Sequence, residues 1–344
     1  MDKNVIEQDL ENMLSAELAY LTGHGSEKTA VSISTTAKHA PAFHVLPRRS
    51  AEGVRMSNFM VNDAAILESL FDFFDGKIDV FFADIEQKQE IQLFALAKER
   101  VKQSALLTWK PNDATLESCD LLIRSRLGED LAGLSILVIG TGNLAGKIAL
   151  RLAERQAHVF VKARTEAKEQ LLIAGLNCML PGYASAPIRP FAELGQPVSA
   201  VVSFLSGPIE QAEILEPYIT QDTFLIDGGI GNFPADFIEE MLAAGTPMTR
   251  LDTRIALPYQ LLSVHPYVQA FFKEAYGKRE FAGQLLVAGG YMGPAGAIIV
   301  DHIQHPTQVI GMADGKGGVK PDEQLAENER DAISAVRQAI SDGV

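Results

Sequence analysis

The sequence predicts an α/β protein with two α/β domains, the second of them a doubly wound Rossmann fold. At 344 residues the chain exceeds one typical domain, and its 47% hydrophobic content is enough for two packed cores. Strand-like apolar runs alternate with amphipathic stretches, which is typical of parallel sheets covered by helices. Residues 136–139 form one such run, which leads directly into a Gly140-x-Gly142-x-x-Ala145 turn and a further amphipathic stretch.

Three parts are expected along the chain. Residues 1–128 form an N-terminal substrate-binding and catalytic α/β domain, residues 129–296 a nucleotide-binding Rossmann domain, and residues 297–344 C-terminal helices that pack back on the N-terminal domain. Leucines at helical spacing between residues 5 and 21 predict an amphipathic helix that packs on a later part of the chain or on a second subunit.

The periodicity of apolar residues also predicts the individual elements. Residues 41–55 are polar and interrupted by prolines, and no element is expected there. Strands are predicted at 30–35, 78–83, 105–109, 136–139, 158–161, 178–180, 198–204 and 223–226. Helices are predicted at 64–74, 87–102, 114–127, 297–304 and 323–340.

The glycine-rich turn after residue 139 has the spacing of a dinucleotide-binding site. Gly140 permits the tight turn, Gly142 lets the backbone approach a pyrophosphate, and the small Ala145 lets helix and strand pack closely. The phosphates then meet the N–H groups at the start of a helix. The same pattern also occurs as an ordinary βα turn, but the apolar strand and amphipathic helix around it favour a nucleotide. The predicted contacts are Gly140, Thr141, Gly142, Asn143, Leu144 and Ala145.

The next predicted strand, 158–161, distinguishes NADP from NAD. An NAD-binding chain carries an Asp or Glu about 20 residues beyond the glycines, where it accepts a hydrogen bond from the ribose 2′-hydroxyl. This chain has Lys162-Ala163-Arg164-Thr165 instead. A guanidinium and a hydroxyl can bind a 2′-phosphate, which a carboxylate would repel. The predicted cofactor is therefore NADP, bound by Arg164 and Thr165, while Lys162 and Lys168 either add charge or simply face solvent.

Two later strands and a glycine-rich segment are predicted to complete the cofactor site. Residues 203–205 border the nicotinamide ribose, and the glycines after Asp227 allow a ring to approach closely. Met292 suits a wall around the nicotinamide, although methionine is more often a core residue. The predicted contacts here are Ser203, Phe204, Leu205, Asp227, Gly228, Gly229 and Met292.

Several of these segments resemble the superfamily of shikimate dehydrogenases and bifunctional methylenetetrahydrofolate dehydrogenases, in which an amino-acid-dehydrogenase-like domain precedes an NADP-binding Rossmann domain. Residues 130–147 are similar to the folate enzymes' strand and Gly-rich turn, and residues 289–294 to their Gly-Gly-Val-Gly-Pro-Met-Thr segment. Ala163-Arg164-Thr165 resembles the Asn-Arg-Thr phosphate clamp of shikimate dehydrogenases, with alanine in place of asparagine. The folate enzymes' Tyr-x-x-x-Lys motif does not occur near residues 40–60. The resemblance implies hydride transfer with NADP.

The segment 108–113 carries the candidate catalytic residues. It follows a predicted strand and therefore lies at the carboxyl edge of the sheet, where open α/β folds bind ligands. Resemblance to the short Asn-Thr-Asp segment of shikimate dehydrogenases implies that Lys110 transfers the proton and that Asp113 is its partner and substrate anchor. Alternatively, Asp113 caps the helix that begins near residue 114, and Lys110 is solvated. Asp84, at the end of an earlier strand, is a further candidate that faces the cleft.

A basic cluster precedes these residues in an otherwise acidic chain. His39 and His44 lie near Arg48, Arg49 and Arg55, and together they can hold a substrate carboxylate or phosphate or simply face solvent. The remaining histidines and the two cysteines lack metal-ligand spacing, so no metal is predicted.

Composition restricts the partners. The formal charge of −14 argues against a nucleic-acid backbone, and no stretch has the length or hydrophobicity of a membrane span or a signal peptide. We expect a cytoplasmic protein with a small-molecule substrate, which is a homodimer formed through the amphipathic stretches 5–21 and 323–340.

The function predicted from the sequence is that of an NADP-dependent dehydrogenase or reductase, which acts on a C=O or C=N bond of a small polar metabolite. Two alternatives remain open. One is methylenetetrahydrofolate dehydrogenase-type activity, and the other is a regulatory protein that senses NADP without turnover, because the fold determines the cofactor and not the reaction.

Overall fold

The computed structural model describes residues 3–23, 25, 27–36, 41–86, 88 and 90–343. The chain divides into two compact units, Met1–Gln260 and Leu261–Val344. The first unit contains two sheets, and the second contains one small mixed sheet. Among the described residues, none of the helices combines the length and the apolar character that crossing a bilayer requires.

The first sheet of the first unit has five strands in the order β2-β3-β1-β4-β5. The strands are β1 (Lys28–Ser34), β2 (Phe43–Ala51), β3 (Val54–Val61), β4 (Val80–Asp84) and β5 (Ala105–Trp109). All neighbours are parallel except β2, which pairs antiparallel with β3 at the edge. The strands predicted at 30–35, 78–83 and 105–109 are confirmed with small changes at their ends.

The hairpin of β2 and β3 is absent from the sequence prediction. As an edge strand β2 buries little, so it lacks apolar alternation, and Pro47 is tolerated there because an edge strand needs fewer N–H donors. The two-residue turn, Glu52 and Gly53, has positive φ at both positions, 51° and 68°, which matches a type I′ hairpin.

Three helices cover this sheet: α1 (Lys3–Thr22), α2 (Ala64–Phe74) and α3 (Leu93–Arg100). Leu14 and Leu21 of α1 are buried in the core with Phe59 and Phe71, so α1 packs on a later part of its own chain. The predicted helix 87–102 is wrong in its first part, because residues 88 and 90–92 are not helical. The Asp84 side chain accepts a hydrogen bond from the backbone of the following loop and stabilises a turn there instead.

The second sheet is entirely parallel and has the order β11-β10-β9-β6-β7-β8. Its strands are β6 (Ser135–Ile139), β7 (His158–Lys162), β8 (Arg189–Pro190), β9 (Ala200–Ser203), β10 (Phe224–Asp227) and β11 (Met248–Arg250). The chain runs outward from β6 in one direction and then returns to continue in the other. This reversal beside β6 is the switch point of a doubly wound nucleotide-binding sheet, which confirms the predicted fold class.

Helices connect the strands of this second sheet to each other and to the first. They are α4 (Pro111–Leu127), α5 (Asn143–Glu154), α6 (Glu166–Met179) and α7 (Ala235–Ala243), and α8 (Leu257–Leu261) follows the last strand, β11. The strand predicted at 178–180 is wrong, because these residues form the end of α6 and its C-cap. Three apolar residues fit the last turn of a helix as well as a short strand, and the sequence pattern does not separate the two.

The second unit has a four-stranded sheet in the order β12-β13-β14-β15, with the central pair parallel. Its elements are α9 (Pro266–Ala275), β12 (Gly277–Phe281), β13 (Gln284–Ala288), β14 (Ile298–Val300), β15 (Val309–Met312) and α10 (Glu327–Ser341). The predicted helix 297–304 is wrong, because the β-branched run Ile298–Val300 pairs with strands on both sides. The domain boundary predicted at residue 296 therefore falls inside one sheet, between β13 and β14.

Candidate functional site

A cleft of about 770 Å³ lies in the first unit, at the carboxyl ends of the parallel strands of its two sheets. Open α/β folds bind ligands at such edges, next to the switch point. The residues that line it are Thr35, Thr36, Lys88, Pro111, Asn112, Thr115, Gly140, Thr141, Gly142, Asn143, Leu144, Arg164, Lys168, Phe204, Leu205, Ser206, Gly228, Gly229 and Ile230.

The turn after β6 has the backbone geometry of a phosphate-binding loop. Gly140 has a φ of 127°, and a Cβ there would lie 2.6 Å from the carbonyl oxygen of Phe204. Gly142 is the N-cap of α5 and supplies no side chain to cap it. The first N–H groups of a helix lack intrahelical partners, so the start of α5 offers donors and a positive dipole end to an anionic group.

Arg164 and Lys168 supply two positive charges to the end of the cleft beyond β7, and both side chains are exposed. Lys162 is used elsewhere, because its Nζ lies 4.8 Å from the centre of the Phe191 ring. The carboxylate of Glu169, buried in the first turn of α6, accepts a hydrogen bond from the N–H of Ala163 at 2.8 Å. The described residues that line the cleft at this end therefore carry cations and no carboxylate.

Asn232, which the sequence analysis missed, holds together the loops after β9 and β10. Its Oδ1 accepts hydrogen bonds from the Ser203 hydroxyl and the Leu205 N–H, both at 2.9 Å. Its Nδ2 donates to the carbonyl oxygens of Leu205 and Gly207 at 3.0 Å. The residue is fully buried, so these four contacts satisfy its amide. An asparagine five positions after a strand gives no sequence signal by itself.

Asp227 organises its own loop with its carboxylate. The oxygens accept hydrogen bonds from the N–H groups of Gly229, Gly231 and Asn232, at 2.7–3.1 Å. The structure thus places Asp227 behind the cleft wall, beside the predicted Gly228 and Gly229, which do line the cleft.

Close packing explains the two glycines after Asp227. A Cβ on Gly228 would lie 2.2 Å from the Phe204 ring, and one on Gly229 would lie 2.3 Å from the Leu205 carbonyl oxygen. Ile230 follows them with a φ of 64°, a conformation that is unfavourable for a β-branched residue. Such backbone strain is typical of ligand-binding loops, and Ile230 lines the cleft.

In the other half of the cleft, the lining residue Lys88 contacts a buried carboxylate, that of Asp84, which does not itself line the cleft. Asp84, at the end of β4, accepts hydrogen bonds from the Glu86 N–H at 2.7 Å and from the Thr35 N–H at 3.3 Å. Its Oδ2 also lies 3.3 Å from the Nζ of Lys88. Burial raises the pKa of the Asp84 carboxyl above its usual value, while these hydrogen bonds and the ammonium act in the opposite direction.

Glu86 extends this network to the start of α4. Its carboxylate lies 2.8 Å from the Nζ of Lys88 and accepts a hydrogen bond from the Asn112 N–H at 3.2 Å. The charged groups therefore connect the three cleft segments that follow β1, β4 and β5. Lys88 lines the cleft together with Thr35, Thr36, Thr115 and Asn112.

The predicted pair Lys110 and Asp113 forms an ion pair, in which Lys110 lowers the pKa of the Asp113 carboxyl and Asp113 raises the pKa of the Lys110 amine. Asp113 also lies 3.4 Å from Lys147. Both side chains of the pair are nearly half exposed, and neither is among the described residues that line the cleft. The capping alternative is wrong, because α4 begins at Pro111 and Asp113 lies within its first turn.

The predicted basic cluster is divided among other contacts. His39 lies outside the described residues, and His44 is exposed on the edge strand β2. The three arginines have partners within the chain: Arg48 contacts Glu17, Arg55 contacts Glu27, and Arg49 contacts Thr253. In the part of the chain that the structure describes, no group of three or more His, Cys, Asp or Glu side chains is arranged to hold a metal ion.

The remaining predicted contacts fall in three places. Ala145 and Ser203 are fully buried behind the loops that they support, and Thr165 is the exposed N-cap of α6. Met292 belongs to the second unit, on the exposed segment between β13 and β14. Its role beside a nicotinamide stays a prediction.

Comparisons with known proteins found no matching family model and no matching curated protein. Among solved structures, a shikimate dehydrogenase in complex with NADP+ is 12% identical, with a TM-score of 0.41 over 69% of this chain and 90% of that chain. An L-tryptophan dehydrogenase from Nostoc punctiforme is also 12% identical, with a TM-score of 0.41 over 71% of this chain and 77% of that chain. The ligand-free 5-ketofructose reductase of Gluconobacter sp. strain CHM43 is 13% identical, with a TM-score of 0.37 over 72% of this chain and 94% of that chain. The fold class is shown by the strand order of the second sheet.

Proposed function

We propose that this protein is an NADP-dependent oxidoreductase, which transfers hydride between the nicotinamide and a C=O or C=N carbon of a small polar metabolite. One observation carries the proposal. The cleft joins the glycine-rich turn after β6 and two cationic residues, Arg164 and Lys168, to a second half that is lined by Lys88 and three threonines.

The residues of the Rossmann half fit the cofactor. The N–H groups of residues 141–144 at the start of α5 are proposed to bind the pyrophosphate. Arg164, with Lys168 and Thr165, is proposed to bind the 2′-phosphate. The loops 204–206 and 228–230, in which glycine side chains leave room for close approach, are proposed to border the nicotinamide ribose.

Proton transfer needs a titratable group that lines the substrate half of the cleft. When bound, the nicotinamide supplies or accepts the hydride. Lys88 is proposed to donate a proton from Nζ to the substrate oxygen or nitrogen as the hydride adds, and to remove it in the reverse direction. Thr35, Thr36 and Asn112 are proposed to orient the polar groups of the substrate. The pair Lys110 and Asp113 stays the alternative proton-transfer group predicted from the sequence.

A first experiment tests the function as a whole. Purified protein is titrated with NADPH in a calorimeter and then mixed with small hydroxylated aldehydes, ketones and imines, while the NADPH absorbance is followed. We expect binding of NADPH and its oxidation by at least one compound. The absence of heat from both phosphorylated and unphosphorylated coenzymes would contradict the proposal.

Once a substrate is known, alanine variants separate the two proton-transfer groups. Lys88→Ala is expected to lower turnover by roughly a hundredfold or more, since a positioned acid or base contributes about 10²–10⁴. Lys110→Ala is the matched control, because it removes the same ammonium from outside the cleft lining. The opposite ranking would return the role to Lys110 and Asp113.

Two further expectations go with this function. The substrate is a small molecule, and the net charge of −14 at pH 7 disfavours a nucleic-acid partner. A cytoplasmic location and a homodimer also stay predictions.

A further inference from the structure

The helix α9 in the second unit has an aromatic surface and no buried residue. We use "aromatic face" for Tyr267, Phe271, Phe272 and Tyr276, whose exposed fractions are 63%, 42%, 69% and 47%. A helix of ten residues is marginal in water unless an apolar face packs against something. No residue of α9 is buried, so little of this packing comes from its own chain.

Three of the four rings contact one another, and the fourth lies at the end of the same helix. The ring centres of Tyr267 and Phe271 are 6.1 Å apart, and those of Phe271 and Phe272 are 6.0 Å apart. Tyr276 is the C-cap of α9, and its N–H donates a hydrogen bond to the Phe272 carbonyl oxygen at 2.9 Å. The Tyr276 ring packs edge-on against the Tyr291 ring, with ring centres 5.7 Å apart.

We propose that the aromatic face is the interface through which two copies of this chain associate about a two-fold axis. Each aromatic side chain presents about 150–250 Å², so the exposed parts of the four rings amount to about 450 Å². A stable dimer buries about 800 Å² on each partner. About 65% of a homodimer interface is apolar, which is roughly 500 Å², so the aromatic face supplies nearly the whole apolar share.

Charge favours a second copy over a partner of opposite charge. The chain carries a net charge of −14, so most faces of two copies repel each other. The exposed charges of α9 are one lysine and one glutamate, Lys273 and Glu274, which makes this helix neutral. A two-fold axis brings the same patch of each copy together, so that apolar rings meet apolar rings and the oppositely charged rim residues can pair.

The helices that the sequence suggested as dimer elements are used within the chain. Leu14 and Leu21 of α1 are buried in the first core, and Ile333 and Val336 of α10 are buried against the sheet of the second unit. These side chains are covered within the chain, whereas the aromatic face of α9 is exposed.

The test measures molar mass by size-exclusion chromatography with light scattering over a range of protein concentrations. The wild-type protein is expected at twice the mass of the chain. Phe271→Glu combined with Phe272→Glu is expected to weaken association by roughly thirtyfold or more, as loss of central aromatic anchors does. Tyr183→Glu combined with Leu171→Glu is the matched control, because it introduces the same two charges at apolar side chains outside α9 that are 78% and 76% exposed.

The interface would be supported if the wild-type protein and the control variant are dimers while the α9 variant is a monomer. A monomeric wild type would overturn it, and so would a dimer that the α9 substitutions leave intact or that the control also breaks. Should the α9 variant fail to fold, hydrogen exchange of the wild-type protein gives the answer. Amides of α9 are then expected to be more protected at high protein concentration than at low, and equal protection would contradict the proposal. None of these outcomes depends on NADP binding.

Discussion

At the scale of single residues, Arg164 tests the proposed preference of the cleft for NADP over NAD. Its guanidinium lies at the end of the cleft beyond β7, where no carboxylate is among the described lining residues. A charge-assisted hydrogen bond to phosphate contributes about 1.5–3 kcal/mol. Arg164→Ala should therefore weaken NADP binding by roughly ten- to a hundredfold and NAD binding much less, as measured by calorimetry.

Lys162 provides the control for this prediction. Replacing Lys162 removes a positive charge two residues before Arg164. In the wild-type protein this ammonium lies over the Phe191 ring. Lys162→Ala should leave the ratio of NADP to NAD affinity unchanged. Equal losses for the two coenzymes in the Arg164 variant would refute the 2′-phosphate role.

Asp84 gives a prediction in which stability and activity change in opposite directions. Burial raises the pKa of its carboxyl in the folded protein above the ordinary value of the unfolded chain. The folded protein therefore binds the proton of the Asp84 carboxyl more tightly than the unfolded chain does. The stability that this binding adds is present at low pH and is lost as the pH rises through the raised pKa. At neutral pH the charged carboxylate is a net cost to folding.

Asp84→Asn should accordingly unfold at a higher temperature than wild type at neutral pH, while its turnover falls because Lys88 loses a contact in the cleft. The gain should disappear as the pH falls toward the ordinary pKa of an Asp carboxyl. Thermal unfolding of both proteins across this pH range measures it. A variant that is less stable than wild type at neutral pH would show that the contacts of Asp84 outweigh its burial.

At the scale of elements, the loops after β9 and β10 depend on the Asn232 amide. Asn232→Ala leaves the Leu205 N–H and two carbonyl oxygens without their partner inside the protein. Each buried group left unsatisfied costs about 1–3 kcal/mol, so we expect a loss of roughly 2–5 kcal/mol in the free energy of unfolding. Because these loops line the cleft, NADP affinity should fall as well.

Asn177, on the helix α6, offers a comparison. Its side chain makes two hydrogen bonds to the backbone of Ile188, and it is not among the described residues that line the cleft. Asn177→Ala should lower the free energy of unfolding in urea and leave NADP affinity unchanged. Similar affinity losses in both variants would mean that general destabilisation, rather than the loop, explains the effect of Asn232.

The elements that the sequence predicts well are those whose pattern reflects burial. Ala64–Phe74 and Ala105–Trp109 are found with the predicted bounds, and the βα turn at Gly140 is found where its spacing indicates. The failures have local causes. The strand β2 lies at a sheet edge and buries too little to show a pattern, and the short apolar run Ile298–Val300 fits more than one structure until its neighbours are known.

The candidate site shows the same limit. Sequence spacing finds residues that backbone geometry requires, such as Gly140 and Gly228, because no other residue fits them. It does not find Lys88, whose place in the cleft depends on a buried carboxylate four positions earlier and on a loop at the expected helix start. Long-range packing, rather than local pattern, brings these groups together.

At the scale of the whole molecule, the large net charge and the neutral aromatic helix predict how salt affects association. Two copies with a charge of −14 each repel one another. Salt screens this repulsion, so that it acts over about 30 Å at 0.01 M ionic strength but over only about 8 Å at 0.15 M. An interface made of aromatic rings has few charges of its own to lose, so added salt should strengthen the dimer. Sedimentation at several ionic strengths measures the dissociation constant. A dimer that weakens steadily as salt is added would be held by ion pairs across an acidic and a basic surface, which the aromatic face does not provide.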